Sequence, residues 1–319
     1  MRARAARLVE PGAPLRVEEI DLPQPGADEE LVILGYAGVN PVDRYNSLGR
    51  VAADGPLPRT LGSEASGWTA DGGLVLVAGS GLGMSRDGVY ATHVVAPRDA
   101  IVPVPSGVQP EVAAAAGVAG LTAYSVANLV EPADGETVLV LGAGGGVGLP
   151  LVSYLTHLGA RVFGQVGTAA KVEAVRAAGA VEVVVADGDS LADALRSATG
   201  KPFVPDAVTD PLGGKFVRSV VEMLPTGGRY VVYGTSADAE VTLNWQTMYR
   251  KGLRISGYGG LTLTSERRRA ALEAVLPLIA RGEMRIPIQR TYPLGEVSEA
   301  FSAIAGRTIT GKVLLDLRA

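Results

Sequence analysis

The arrangement of apolar and polar positions along the chain changes character near residue 137. Before it, short β-rich runs (LVILGYAGV, LVLVAG, YATHVVA) are cut apart by clusters of Gly, Pro and Asp, the pattern of strands joined by tight turns. After it come apolar runs of strand length: TVLVLG, RVFGQVG, VEVVVA, PDAVTD, RYVVYG and GLRISGY. Helix-like segments over 147–158, 169–178, 191–198 and 214–224 separate them. Strands that are apolar throughout, alternating with helices, predict a parallel sheet covered on both faces and joined by right-handed crossovers. A longer helix over 265–281, a short one near 296–305 and a last strand, GKVLLDL, complete the chain. This tail is too small to stand alone and is expected to return to the first domain. The predicted organisation is α/β, with residues 1–115 and 261–319 in one discontinuous β-rich domain and 116–260 in the other.

The uncharged stretch over 112–130 is mostly Ala and Gly with Thr122, Ser125 and Asn128 inside. Such residues gain little on transfer to lipid, so it reads as a buried packing helix and no membrane partner is expected. Composition narrows the chemistry. Hydrophobic residues make up 47% and charged residues 19% of 319, a globular balance. Net charge is −4 and the densest basic run is Arg267–Arg268–Arg269, which argues against nucleic acid as a partner. No cysteine is present, which excludes disulfides, thiolate nucleophiles and cysteine-ligated zinc. Two histidines, His93 and His157, and no GxSxG elbow leave little room for a serine-hydrolase triad. His93 sits in a strand pattern, and His157 ends a helix, where a cation suits the dipole. The basic start, MRARAARLVEPG, has no apolar core after it, so a cytoplasmic protein is the expectation.

The glycine cluster carries the sharpest signal. Gly142, Gly145 and Gly148, with Ala143, Gly146 and Val147 among them, lie between an apolar strand and a helix. They read as GxxGxxG from Gly142 or AxGxxG from Ala143. A tight turn, close backbone approach to a pyrophosphate and close helix–strand packing each call for a missing side chain there. A P-loop is excluded, because Leu149 and Pro150 follow instead of Lys-Ser/Thr. The second strand then ends Gln165-Val166-Gly167-Thr168 without the acid that would hold a ribose 2′-OH. Gly167 and Thr168 offer donors to a 2′-phosphate and Lys171 offers a charge, favouring NADPH over NADH. The competing reading of Lys171 is a solvated helix lysine. Arg307 is a second candidate cation.

At this point the chain resembles the medium-chain dehydrogenase/reductases, most closely their zinc-free quinone oxidoreductase branch. The resemblance rests on AGVNPVDRYNSLG, LGSEASG, VLVLGAGGGVG with GQVGTAAK, and GRTITGKVLLD, and it runs over nearly the whole length. It implies a GroES-like β-barrel catalytic domain plus a doubly wound Rossmann cofactor domain. Zinc-dependent relatives carry Cys at the position of Asn40 and His-Glu at that of Ser63-Glu64. Only Glu64 remains, so no metal is expected and Glu64 is assigned a structural, hydrogen-bonding role. The resemblance further implies that Asn40 and Tyr45 face nicotinamide and substrate. Ala143, Gly145, Gly146, Val147, Gly148, Gly167, Thr168, Lys171, Gly234, Thr235, Tyr258 and Arg307 are the implied cofactor-binding residues, and a homodimer is implied through the last Rossmann strand. The chain departs from the pattern at Val51 and Ala186, where relatives have tyrosines, and in a shortened connection over 68–83.

Without a metal to polarise a substrate, reduction of a small-molecule quinone or conjugated carbonyl is favoured over alcohol oxidation. Tyr45 and Asn40 are the candidate donors to the developing oxyanion. Asp43 either orients Tyr45 or caps a turn. Two alternatives remain: an enoyl-thioester reductase of fatty-acid or polyketide type, with Arg267–Arg269 as a docking patch or simply a solvated helix face, and a cofactor-binding protein without turnover.

Overall fold

The computed structural model describes residues 1–51 and 54–319. It separates into two units. The first comprises Met1–Leu121, Leu263–Gly282 and Ile286–Ala319; the second comprises Thr122–Thr262 and Glu283–Arg285. The boundaries differ from those read off the sequence by a few residues, and contacts explain why. The segment Ala116–Gly120 stays with the first unit because the buried Glu64 side chain accepts the Val118 N–H at 2.7 Å. Glu283–Arg285 joins the second because Arg285 N–H donates to Ser153 Oγ at 3.0 Å and Glu283 lies 3.6 Å from His157.

The first unit opens with β1 (Arg2–Leu8), β2 (Arg16–Asp21), β3 (Glu29–Val39), α1 (Pro41–Ser47), β4 (Arg59–Thr60), β5 (Glu64–Trp68), β6 (Leu74–Ala78), β7 (His93–Pro97) and β8 (Ile101–Pro103). The stretch expected to be one helix is broken in three: α2 (Pro110–Ala114), a π-helical turn (Ala116–Gly120) and α3 (Leu121–Val130). The Val118 N–H turned toward Glu64 is the local reason, since it leaves the helical ladder.

In the second unit β9 (Thr137–Val140), α4 (Gly148–His157), β10 (Arg161–Val166), α5 (Val172–Ala178), β11 (Glu182–Val185), α6 (Leu191–Thr199), β12 (Ala207–Asp210), α7 (Lys215–Met223), β13 (Arg229–Val232), α8 (Trp245–Lys251) and β14 (Arg254–Gly257) follow in turn. The chain then returns to the first unit with α9 (Ser265–Ala280), β15 (Ile288–Pro293), α10 (Val297–Ala305) and β16 (Lys312–Asp316).

Two sheets build the first unit. One runs β2-β1-β4; the larger runs β15-β16-β3-β5-β6-β8, with β7 also paired to β3. Leu8, Leu34, Val39, Tyr90, Leu294 and Leu315 lie in its common core. The unit is built mainly of β-strands. The basic run on α9 is committed to this unit: Arg269 donates to the carbonyls of Arg98 and Ile101 and pairs with Glu273. A solvated arginine face is therefore not what α9 presents at Arg269.

The second unit is one parallel sheet ordered β11-β10-β9-β12-β13-β14. This is the doubly wound Rossmann order, which reverses direction between β9 and β12. Leu139, Phe163, Val208 and Tyr230 pack one face of the sheet against Leu191 and Leu195 of α6 and Val217 and Val220 of α7. The amphipathic α7 ends under a cap that the sequence pattern did not reveal. Lys251 Nζ donates to the carbonyls of Val221, Glu222 and Leu224 at 3.1, 2.7 and 2.7 Å, where a helix C-terminus favours a cation.

Candidate functional site

In the second unit the glycine cluster spans the end of β9 and the start of α4, at the carboxyl edge of the sheet beside the switch point. Gly142 takes φ +61°, a conformation glycine adopts without strain. At Gly148 a Cβ would stand 2.4 Å from the Gly142 carbonyl oxygen and 2.6 Å from that of Ala143, so only glycine lets α4 start this close. The turn is fastened at three points. Gly142 N–H donates to Gln165 Oε1 at 3.0 Å, Ala143 N–H to the Gln165 carbonyl at 2.9 Å and Gly145 N–H to the Gly142 carbonyl at 3.0 Å. The N–H groups of Gly144, Gly146, Val147 and Gly148 have no acceptor among the described residues. Four uncommitted donors at and before the start of a ten-residue helix suit an anion.

Lys171 closes this site from the side of β10. Its stem lies over the turn: a Cβ on Gly144 would come within 2.9 Å of Lys171 Cβ and Cδ. Lys171 is half-buried, and that burial pulls its ammonium below the ordinary lysine value. Between strand and lysine, Gly167 and Thr168 are exposed, and no carboxylate follows β10 before Glu173. The structure thus brings together Ala143, Gly145, Gly146, Val147, Gly148 and Lys171. Gly234 follows β13 and packs against the Pro211 carbonyl, while Thr235 beside it is exposed. Tyr258 follows β14, its N–H bonded to the Val232 carbonyl and its buried hydroxyl without a partner among the described residues. Arg307 belongs to the first unit, just past α10, with φ +56°. Asp210, which the sequence pattern offered no reason to select, ends β12 and accepts from the N–H groups of Leu212 and Gly213 at 2.6 and 3.0 Å and from the Tyr230 hydroxyl. Burial raises its carboxyl above the usual range.

In the first unit, strand register assembles a second group. β16 pairs antiparallel with β3, Val313 opposite Val39, which sets Lys312 beside Asn40. β5 pairs with β3, Ala65 opposite Ala37, which sets Glu64 beside Gly38. At Gly38 a Cβ would fall 2.2 Å from Glu64 Oε1, so glycine makes the space for the carboxylate. Asn40 Nδ2 donates to Glu64 Oε1 at 2.7 Å, and Lys312 Nζ donates to Glu64 Oε1 at 2.8 Å and to Asn40 Oδ1 at 2.6 Å. All three are buried, Glu64 completely, and Glu64 Oε2 takes the Val118 N–H. The Asn40 side chain is engaged at both ends, one Nδ2 N–H with Glu64 and Oδ1 with Lys312, which makes it a positioning group for α1. Among the described residues no three His, Asp or Glu side chains group as metal ligands.

Asn40 also caps α1. Asp43 Oδ2 accepts the Asn40 N–H at 3.0 Å and the Tyr90 hydroxyl at 2.9 Å. Of the two readings of Asp43, the cap is what the structure holds, and its hydroxyl partner is Tyr90. Burial pushes the Asp43 carboxyl up to about 6, against the lowering effect of these bonds. Tyr45 sits half-buried on the same helix, its hydroxyl without a hydrogen-bond partner among the described residues. Lys312 and Tyr90 are the functional neighbours that sequence reasoning missed. The only signal for Lys312 was a lysine opening an otherwise apolar strand.

A family model described as zinc-binding dehydrogenase matches residues 178–315. The chain is 29% identical over 311 residues, 95% of its length, to a phenolphthiocerol/phthiocerol polyketide synthase of Mycobacterium tuberculosis, and it spans 14% of that much longer protein. The crystal structure of Escherichia coli quinone oxidoreductase complexed with NADPH matches with TM-score 0.85 and 26% identity, over 98% of this chain and 99% of that one. These similarities support the resemblance to the medium-chain dehydrogenase/reductases and their quinone oxidoreductase-like branch. The chain shares the α/β fold of these structures. The crystal structure of an NAD-dependent alcohol dehydrogenase is also similar to this chain, at TM-score 0.89 and 28% identity over 98% of it and 99% of its own chain.

Proposed function

We propose that this protein is a zinc-independent, NADPH-dependent reductase of quinones or α,β-unsaturated carbonyls. The observation that carries the reading is Lys171 lying over the glycine turn, at the end of a β10 that offers no acid. A carboxylate there would repel a 2′-phosphate, whereas an ammonium with the exposed Gly167 and Thr168 attracts one. The N–H groups of Gly144, Gly146, Val147 and Gly148 would hold the pyrophosphate. The bound NADPH supplies a hydride; the remaining tasks belong to the chain. Tyr45 Oη, uncommitted among the described residues, donates a hydrogen bond to the substrate oxygen as negative charge develops there. The Asn40–Glu64–Lys312 network and the Asp43 cap hold α1, and so Tyr45, in place. Zinc independence is supported by donor chemistry. The chain has no cysteine, and the Asn40 amide and Glu64 carboxylate are already bonded to an ammonium.

Calorimetric titration with NADPH and NADH tests the cofactor. The expected result is a preference for NADPH that Lys171→Ala reduces by about tenfold, the loss of one charge-assisted contact. Binding of neither nucleotide overturns the reading. One further observation favours a second substrate class: the similarity to the polyketide synthase covers nearly the whole of this chain, so enoyl thioesters belong in the substrate screen.

For the assembly we propose a homodimer formed through β14. This strand is the outer edge of its sheet, with Ile255 40% exposed, and the nearby Trp245 and Tyr249 of α8 are 75% and 68% exposed. Unpaired strand edges with apolar neighbours are the surfaces that a two-fold partner covers.

A further inference from the structure

β10 reads RVFGQV, and every position after its first residue is buried. Gln165 is the one side chain in that buried run that carries hydrogen-bonding groups, and it is 2% exposed. Through β10 register it shares a face with Phe163, and so with the apolar core of Leu139, Val184 and Val208. A carboxamide in such surroundings is costly unless both of its ends are bonded. Both are. Oε1 accepts the Gly142 N–H at 3.0 Å, and Nε2 donates to the Ala186 carbonyl at 2.5 Å. Gln165 therefore reaches across its own strand in both directions, tying the turn after β9 to the residue after β11.

The tie falls on the part of the turn that needs it. Leu141 N–H is taken by the Thr209 carbonyl of β12, and Ala143 N–H by the Gln165 carbonyl. Gly142 N–H lies between them and has no backbone acceptor among the described residues, so without the Gln165 side chain it would be an orphan. Gly142 is also the left-handed residue from which the turn departs, and its carbonyl accepts the Gly145 N–H. Its orientation sets where the following donors of Gly144, Gly146, Val147 and Gly148 point. Ala186 is the other anchor. It has no side chain that could compete for Nε2, and its own N–H is held by the Val166 carbonyl at 3.1 Å.

We propose that Gln165 is a positioning residue for the dinucleotide, aiming the N–H groups that receive the pyrophosphate while making no contact with the 2′-phosphate. The inference rests on the dinucleotide reading above. It predicts a split that a general packing role would not produce. Lys171 acts on any ligand bearing the 2′-phosphate; Gln165 acts on ligands that bear the pyrophosphate.

The test is calorimetric titration of the full chain with NADPH and with adenosine 2′-monophosphate, which lacks the pyrophosphate. Gln165→Leu keeps the volume and removes both hydrogen bonds. It is expected to weaken NADPH by about tenfold and adenosine 2′-monophosphate by less than about twofold. Lys171→Ala is expected to weaken both. Gln165→Glu serves if the leucine variant does not fold. Ionised, it keeps an acceptor for Gly142 but faces the Ala186 carbonyl without a donor; protonated, it regains one. Its affinity ratio of NADPH to adenosine 2′-monophosphate, relative to the native chain at the same pH, is expected to rise from about pH 8 to about pH 6. Equal weakening of both ligands, or of neither, would overturn the role of Gln165 alone. Failure of the native chain to bind either ligand would overturn the dinucleotide reading and this inference with it.

Discussion

Replacing Lys312 by methionine isolates the energetics of the buried group in the first unit. The side chain keeps its length and loses its charge. Glu64, completely buried, would then lose the ammonium 2.8 Å from Oε1, and Asn40 Oδ1 would lose the donor at 2.6 Å. Two bonds would remain to the carboxylate, from Asn40 Nδ2 and Val118 N–H, neither carrying a charge. Breaking one side of a buried ion pair costs about 3–5 kcal/mol, because the surviving charge stays desolvated. For a unit of this size each kcal/mol moves the transition by about 2–4 °C, so a drop near about 10 °C is expected by scanning calorimetry. The companion variant Glu64→Gln/Lys312→Met removes both charges. Its Asn40 amide is free to turn and accept from the new glutamine while that glutamine's oxygen takes the Val118 N–H. The pair should therefore lose much less than the two single changes added together. A Lys312→Met protein melting within about 2 °C of the native chain, or a strictly additive double variant, would refute the argument that the ammonium is what makes the buried carboxylate tolerable.

Other outcomes follow from the same geometry. Tyr45→Phe should lower turnover by about tenfold or more in a quinone or enone assay with the Kd for NADPH unchanged; equal turnover would remove Tyr45 from the mechanism. Asp43 takes a proton more readily folded than unfolded, since burial raises its carboxyl from 3.8 to about 6. Its contribution to stability is therefore greatest in acid and falls as pH rises from about 4 to about 6, by about 3 kcal/mol in all. Asp43→Asn should flatten that part of the melting-temperature profile, and an unchanged profile would count against it. Ile255→Lys, at the open edge of β14, should convert a dimer to a monomer in light scattering, with NADPH affinity retained.

Much of the second unit was legible because its signals are local. Each of the six parallel strands is an apolar run bounded by a turn, and the glycine cluster declares itself by spacing alone. What was not legible depends on register. Gln165 appears in the sequence only as a polar interruption of a strand, and its two partners lie 23 and 21 residues away. Lys312 meets Asn40 across 272 residues, a pairing that no window along the chain can reveal. The strand over Ile288–Pro293 escaped because IQRTYP is mostly polar and exposed, and the helices Pro41–Ser47 and Trp245–Lys251 because they are too short for periodicity to stand out. The π-helical turn escaped because its cause, the carboxylate of Glu64, belongs to another strand.

The placement of β16 has a consequence for how the chain is born. This strand sits inside the large sheet, between β15 and β3, yet it follows every other strand of that sheet along the chain. On the ribosome, β3 waits with one edge bare and Glu64 waits without its ammonium until Lys312, 272 residues beyond Asn40, has emerged. The strands of the second unit lie within one uninterrupted stretch, so that unit can close first. The first unit is completed last. A nascent chain stalled before Lys312 would carry a finished nucleotide fold and an unfinished sheet, and that sheet's open edge is where premature association would begin.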